Sequence, residues 1–524
     1  MWRWRFTARR QMSKKPAFYG LFLLAVCAAI LFRVVRLDLR PMHHDEANQA
    51  VKFGELLERE EYRYDPVEHH GPTLYYFSLP FAWIGSGRSF AALDEVTLRL
   101  VPALFGVGIV LLLLLLKDGF SRSSIVFSGI FVAVSPLMVF YSRFYIQETL
   151  LVFFLLGTIA ASWRYHVDRT WRWAAATGFF IGLMYATKET CIIALGALFI
   201  GLLLARIFTR ESIGKKPPIS HAFILLGSAF VVAFLFFSSF FQNPKGIMDS
   251  VLSFQTYFSK AGDAGFHSYP WPYYLKMLSF SRFGNGPVWS EALILVLAIF
   301  GCVAAFYSKS QKNSSPLFMR FIFFFTLLAT AIYSLIPYKT PWNMLPFFIG
   351  IILLAGNGAA FLLDRSKNLA SWSLILLIIC AGIFHLGYQA HSANFRFHAD
   401  SRNPYVYAQT NTDFLNLVQR VNDIAQYHHD QKDMLIKVIT HPDEAWPLPW
   451  YLRVFTRVGY WQEAEKAGVL EDVPVVISSI DKTEHLLAEL QQTHQGEFFG
   501  LRPEVLLAVH IRKDLWEKFL ESRR

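Results

Sequence analysis

PMHHDEANQA at residues 41–50 and EHHGPTLYYF at 68–77 lie between two long apolar runs, at about 17–37 and 96–116. The first string sets an acidic pair, Asp45 and Glu46, behind His43 and His44; the second sets His69 and His70 before a Gly-Pro turn. Apolar runs of that length cross ~30 Å of hydrocarbon as helices, so these polar residues belong to a loop at a membrane surface. Loops held by a rigid scaffold are where binding and catalytic groups concentrate. A carboxylate there can act as base, acid, metal ligand or recognition group.

Working outward, 54% of the 524 residues are hydrophobic and 17% charged, a balance that excludes an ordinary soluble enzyme. The formal charge of +11 would suggest nucleic acid in a soluble domain. In a polytopic chain basic residues gather in cytoplasmic loops instead, and no nucleic-acid partner is expected. Cys27, Cys191, Cys302 and Cys380 sit inside apolar runs without metal-ligand spacing and read as small core residues. The basic start MWRWRFTARRQMSKK precedes an apolar run with no small-x-small site and with Val26 before Cys27. It reads as an uncleaved first span rather than a secretory signal.

Eleven spans are expected, at about 17–37, 96–116, 124–142, 147–165, 172–187, 189–206, 222–241, 289–308, 319–337, 342–363 and 370–390. With a cytoplasmic N-terminus, every inside segment is basic: Arg3, Arg5, Arg9, Arg10, Lys14 and Lys15; Lys117 and Arg122; Arg164, Arg169 and Arg172; Arg206, Arg210, Lys215 and Lys216; Lys309, Lys312 and Arg320; Arg365 and Lys367. The short outside loops hold one cation each, Arg143, Lys188 and Lys339. This asymmetry orients the chain in the plasma (inner) membrane with its C-terminus outside.

Those cations stand in YSRFYIQETL (141–150), YATKET (185–190) and IPYKTPWNM (336–344), on the same face as Asp45. Ionisable groups at a membrane edge are costly and point to function; the plain alternative is that they snorkel, or neutralise Glu148 and Glu189. The outer loop 242–288, rich in Gly, Pro and aromatics, reads as interfacial. The chain thus divides into a membrane domain, 1–390, with a large first outer loop at 38–95, and a soluble outer α/β domain, 391–524, in which strand-like and helix-like runs alternate. In DEAWPLPWYLR (443–453), Asp443, Glu444 and Trp446 have the chemistry to touch an acceptor, although a structural turn closed on a buried Trp is the simpler account.

Lone cations suit a phosphate or diphosphate through charge-assisted hydrogen bonds, and a carboxylate can take the proton of an attacking hydroxyl. A sugar carried on a lipid phosphate would use both, the cations stabilising the leaving phosphate. The strings HHDEA, HGPTLYY, SRFYIQETLLVFF, ATKET and YKTPW, spread over about residues 20–390, resemble the GT-C class of polyprenyl-phosphate glycosyltransferases. Within it they are similar to the protein O-mannosyltransferase and aminoarabinose-transferase superfamily (family 39), and to its flippase-activity-associated, Agl23-like branch. The resemblance implies sugar transfer from a polyprenyl-phosphate donor to a glycan or protein acceptor outside the membrane. It makes Asp45 the catalytic acid residue, with Glu46 beside it and Glu148 as the acid of the next outer loop. Arg143, Lys188, Lys339, Tyr338 and Trp342 are then the expected donor-phosphate residues, and His44, His69, His70 and Glu189 the acceptor-side or supporting ones. Some GT-C enzymes use a divalent metal, for which His43, His44 and Asp45 are the candidates. A transporter, or a protein associated with a flippase for lipid-linked sugars, is the alternative; the chain shows no repeat relating its halves, which transporters usually have.

Overall fold

The computed structural model describes residues 15–59, 62–210, 217–262, 265–307 and 314–523; Arg3, Arg5, Arg9, Arg10, Lys14, Lys215, Lys216, Lys309 and Lys312 of the charge count lie outside these. The helices are, in order, α1 (Lys15–Val34), α2 (His44–Arg59), α3 (Thr73–Gly85), α4 (Glu95–Leu112), α5 (Arg122–Val134), α6 (Pro136–Tyr141), α7 (Glu148–Asp168), α8 (Trp171–Tyr185), α9 (Cys191–Thr209) and α10 (Ile219–Phe237). There follow α11 (Gly246–Gly262), α12 (Tyr273–Ser279), α13 (Ala292–Phe306), α14 (Pro316–Leu335), α15 (Leu345–Arg365) and α16 (Leu369–His391). Among the described residues, eight helices are long and apolar enough to cross a membrane, and the chain is an integral membrane protein. The expected spans at 124–142, 172–187 and 289–308 are shorter helices: α5 with α6, α8, and α13.

By its contacts the chain divides into two compact units, one of residues 15–37, 62–78 and 99–396, the other of 38–59, 79–98 and 397–523. The first unit is the helical bundle. Its central helix, α15, is buried from Leu345 to Ala360, and it meets α13 closely because both carry glycines at the crossing. A Cβ on Gly358 would overlap the Leu297 carbonyl, and one on Gly301 the Leu354 carbonyl, the small-residue packing that apolar helices use where lipid gives no hydrophobic drive. By contrast, α10 and α16 present Phe223, Leu226, Phe230, Leu374, Leu377 and Phe384 outward.

Two buried polar devices shape the bundle. Pro136 cannot donate a backbone hydrogen bond, so the expected third span breaks into α5 and α6. Ser135 Oγ accepts the Met138 amide at 3.2 Å, while the wholly buried Glu291 accepts Ser135 Oγ–H and the Leu137 amide, both at 2.9 Å. The second device is a pair of arginines exchanged between α1 and the α5–α6 arm. Arg33 donates to the Val132 and Ala133 carbonyls at 2.7 and 3.3 Å. Arg143 donates to the carbonyls of Phe32, Arg33, Val35 and Arg36 at 2.7–3.1 Å. Each satisfies carbonyls that a helix end leaves open.

Hydrogen bonds join alternate loops of the bundle at one end. Thr73 N–H donates to the Ala186 carbonyl at 3.2 Å, Ser239 Oγ–H to that of Tyr62 at 2.6 Å, Tyr269 N–H to that of Pro337 at 3.1 Å and Lys339 N–H to that of His267 at 2.9 Å. The turn at 117–120 is held separately, by Ser315 N–H to the Gly119 carbonyl and by Arg164 to Asp118, each 3.0 Å.

In the second unit a five-stranded sheet, order β2-β1-β3-β5-β4, is made by β1 (Ile436–Ile439), β2 (Val458–Trp461), β3 (Val475–Ser479), β4 (His494–Arg502) and β5 (Val505–Arg512). β1 runs parallel to β2 and β3; β5 is antiparallel to β3 and β4. Strand side chains alternate between faces. Val475 and Ile477 therefore join Phe414, Leu417 and Val421 of α17 (Phe414–Ala425) on one side, while Val476 joins Leu486 and Leu490 of α19 (Ile480–Leu490) on the other. The same unit holds α2 and a single turn, α18 (Leu448–Tyr451); Met42 N–H donates to Tyr451 Oη at 2.9 Å. The expected small α/β domain is thus present.

Candidate functional site

In the second unit, the acidic pair divides its work. His43 is the residue before α2, and Glu46, three positions on, reaches back to accept its N–H at 3.1 Å, half of a capping box. Glu46 is fully buried. Asp45, in the first turn where the helix dipole favours an anion, keeps a side chain 42% exposed. It is the carboxylate of the pair that can meet a substrate.

His43 sets this geometry. Its Nδ1 accepts the Asp45 amide at 3.0 Å and its Nε2 lies 2.9 Å from the Tyr407 carbonyl, which requires the neutral ring with Nε2 donating. Burial lowers its pKa, against the pull of Asp45 and Glu46. With one nitrogen accepting and the other donating, His43 has no lone pair for a metal, and the candidate trio His43, His44 and Asp45 does not assemble as ligands. Among the described residues, three ligand atoms approach within 4.8 Å of one another in Asp65, Glu68 and His69, and in His428, His429 and Asp430. Both are local turns: Asp65 Oδ1 accepts the Val67 and Glu68 amides, and His428 Nδ1 accepts the Asp430 amide. His44 faces Trp446, ring centroids 5.8 Å apart. The buried tryptophan of that segment is Trp450, whose indole N–H donates to Glu95 at 2.9 Å.

In the first unit the lone cations are all engaged. Lys188 is buried in an ion pair with Glu148, whose other oxygen is buried without a hydrogen-bond partner. Arg143 caps α1 and lies 4.9 Å from the Phe395 ring. Lys339 Nζ donates to the Tyr269 carbonyl at 3.0 Å and to that of Ile336, and burial lowers its pKa. A carboxylate neutralises a cation, so Lys188 shares its charge with Glu148. Trp342 packs against Tyr141 and Phe144 at 6.0 and 6.3 Å, and Tyr338 against His267 at 4.9 Å.

The strings EHHGPT and YATKET meet face to face. Glu189, nearly buried, accepts Tyr64 Oη–H at 2.8 Å and His70 Nδ1–H at 2.9 Å. Burial would raise its pKa, yet the charge and hydrogen bond of His70, with the bond from Tyr64, bring it below the ordinary value. Gly71 is required beneath, since a Cβ there would strike the Ala186 carbonyl. His69, also buried, donates its N–H to the Asp65 carbonyl at 3.2 Å. Sequence reasoning passed over Tyr64 and Glu291; a lone carboxylate opening an apolar run, as in SEALILV, was the signal for the latter.

Residues 80–238 match a family model described as dolichyl-phosphate-mannose-protein mannosyltransferase, a stretch that holds Arg143, Glu148, Lys188 and Glu189 but not Asp45. No curated protein matches the chain by sequence. Among solved structures, ArnT from Cupriavidus metallidurans bound to undecaprenyl phosphate is similar at a TM-score of 0.61 and 14% identity, over 94% of this chain and 98% of that one. The oligosaccharyltransferase AglB from Archaeoglobus fulgidus, in complex with an inhibitory peptide and a dolichol-phosphate, is similar at 0.54 and 12% identity, over 94% of this chain and 74% of that one. The narrower Agl23-like placement rests on the sequence strings alone. The chain therefore has the fold of the GT-C glycosyltransferases.

Proposed function

We propose that this chain is a glycosyltransferase that takes a hexose or pentose from a polyprenyl-phosphate donor and passes it to an acceptor on the extracytoplasmic face. The observation that carries the reading is the half-exposed Asp45 carboxylate, fixed at the start of α2 by His43 and Glu46. In this role Asp45 accepts the proton of the acceptor hydroxyl as that oxygen bonds to the sugar C1. The bond from C1 to the phosphate oxygen breaks, and the polyprenyl phosphate leaves with its electron pair. Arg143 and Lys339 stabilise the charge gathering on that phosphate, Tyr338 and Trp342 flank them, and Glu148 holds Lys188 in place. His44, His69, His70 and Glu189 support the acceptor side.

The orientation belongs to the same reading: N-terminus cytoplasmic, and the part after about residue 391 outside as a soluble domain. Purified chain in lipid nanodiscs, given radiolabelled polyprenyl-phosphate sugars with glycan and peptide acceptors, is expected to release polyprenyl phosphate and label an acceptor. Flipping of lipid-linked sugar in vesicles with no transfer to any acceptor would replace this reading with a transporter.

A further inference from the structure

Trp446 is only partly buried. Trp450, four residues on, is the fully buried anchor of the segment, whereas the Trp446 indole stands half-open against the equally half-open imidazole of His44. Around this ring pair are the exposed Asp443, whose carbonyl accepts Arg502 Nη2–H at 2.8 Å, and Asp45 itself, next in sequence to His44. Asp45, Arg502 and Asp443 all lie near enough to act on the His44 charge. Asp443 and Trp446 sit on the segment leaving the carboxyl end of β1, which has β2 on one side and β3 on the other. That is the switch point outside which ligands bind in open α/β sheets.

The chemistry is that of a sugar platform. An aromatic face takes the apolar C–H face of a pyranose, while a carboxylate, a guanidinium and a neutral imidazole exchange hydrogen bonds with its hydroxyls. Carboxylates and guanidinium offset one another, so the surface suits a neutral polyhydroxylated acceptor better than a strongly charged one. We infer that Trp446, His44, Asp443 and Arg502 form an acceptor subsite for a neutral pyranose, so that the acceptor is itself a glycan. The inference rests on the proposed transferase reading and narrows its acceptor.

The test is saturation-transfer NMR on the full chain in nanodiscs, with mannobiose, galactobiose and cellobiose, and separately with hydroxyl-bearing peptides. Binding by at least one disaccharide is expected, falling five-fold or more in Trp446→Ala, several-fold in Asp443→Asn, and less than two-fold in Trp446→Phe. The phenylalanine and asparagine variants decide the matter should the alanine variant fail to fold. Absence of disaccharide binding, binding indifferent to these substitutions, or binding of the peptides instead overturns the inference. A parallel transfer assay separates the two claims: disaccharide binding without any transfer overturns the transferase reading and leaves the subsite standing.

Discussion

Asp45 and Glu46 are neighbours of one chemical type, and their substitutions should read out differently. Asp45→Asn is expected to lower transfer by about 10²–10⁴-fold, the range of a lost general base, with insertion and melting unchanged. Glu46→Ala removes a helix cap and is expected to cost about 1 kcal/mol of stability, seen as a lower melting temperature in detergent. A fully active Asp45→Asn would remove that carboxylate from the chemistry. The acidic pair was legible in the sequence; its division was not, because it depends on α2 starting at His44 rather than one residue either way. Likewise three lone cations were visible, but not that Lys188 is held by Glu148. Lys188→Met strands a buried carboxylate and should destabilise by about 3–5 kcal/mol. The double variant Lys188→Met/Glu148→Leu should recover most of that in thermal melts, and failure to recover would mean the pair does more than neutralise itself.

At the scale of elements, patterning told helix from strand but not where a helix gives way. Span 124–142 carries no charged residue, and its break at Ser135–Pro136 is stabilised by Glu291, a residue more than 150 positions away. Pairings of this kind lie outside any window of periodicity. The C-terminal sheet was expected from alternating runs, and its antiparallel half makes a pH test available. Burial, with His494 beside it, lowers the His510 pKa to about 4. The folded strand keeps that ring neutral while the unfolded chain protonates it below its ordinary value near 6.5. This contribution to stability is therefore intact above pH 6.5 and is lost as the pH falls toward 4, by about 3 kcal/mol in all. Hydrogen exchange of the β3 and β5 amides, corrected for intrinsic rates, should show protection falling over that window. His510→Asn should flatten the fall; an equally steep profile in the variant would place the titration elsewhere.

For the whole molecule, hydropathy was enough to mark a membrane chain and to place eight of the eleven expected spans on helices long enough to cross, because crossing hydrocarbon is a demand every span meets for itself. Which loops touch was beyond that reach: ATKET and EHHGPT are separated by more than a hundred residues and meet through Glu189 and His70. The expected orientation is checked in a cysteine-free background. A cysteine at Asp65 should react with an impermeant maleimide on intact cells, and one at Ser366 only after permeabilisation; the reverse pattern would invert the chain. The exchanged arginines of α1 and the α5–α6 arm also bear on biogenesis. Arg143 is synthesised more than a hundred residues after the carbonyls it caps, so the first helix leaves the ribosome with its far end unfinished. Its final seating awaits the third hydrophobic segment. A nascent chain stalled before that arginine should hold its leading helix loosely at the translocon, extractable or still able to reverse, and one stalled well beyond it should not.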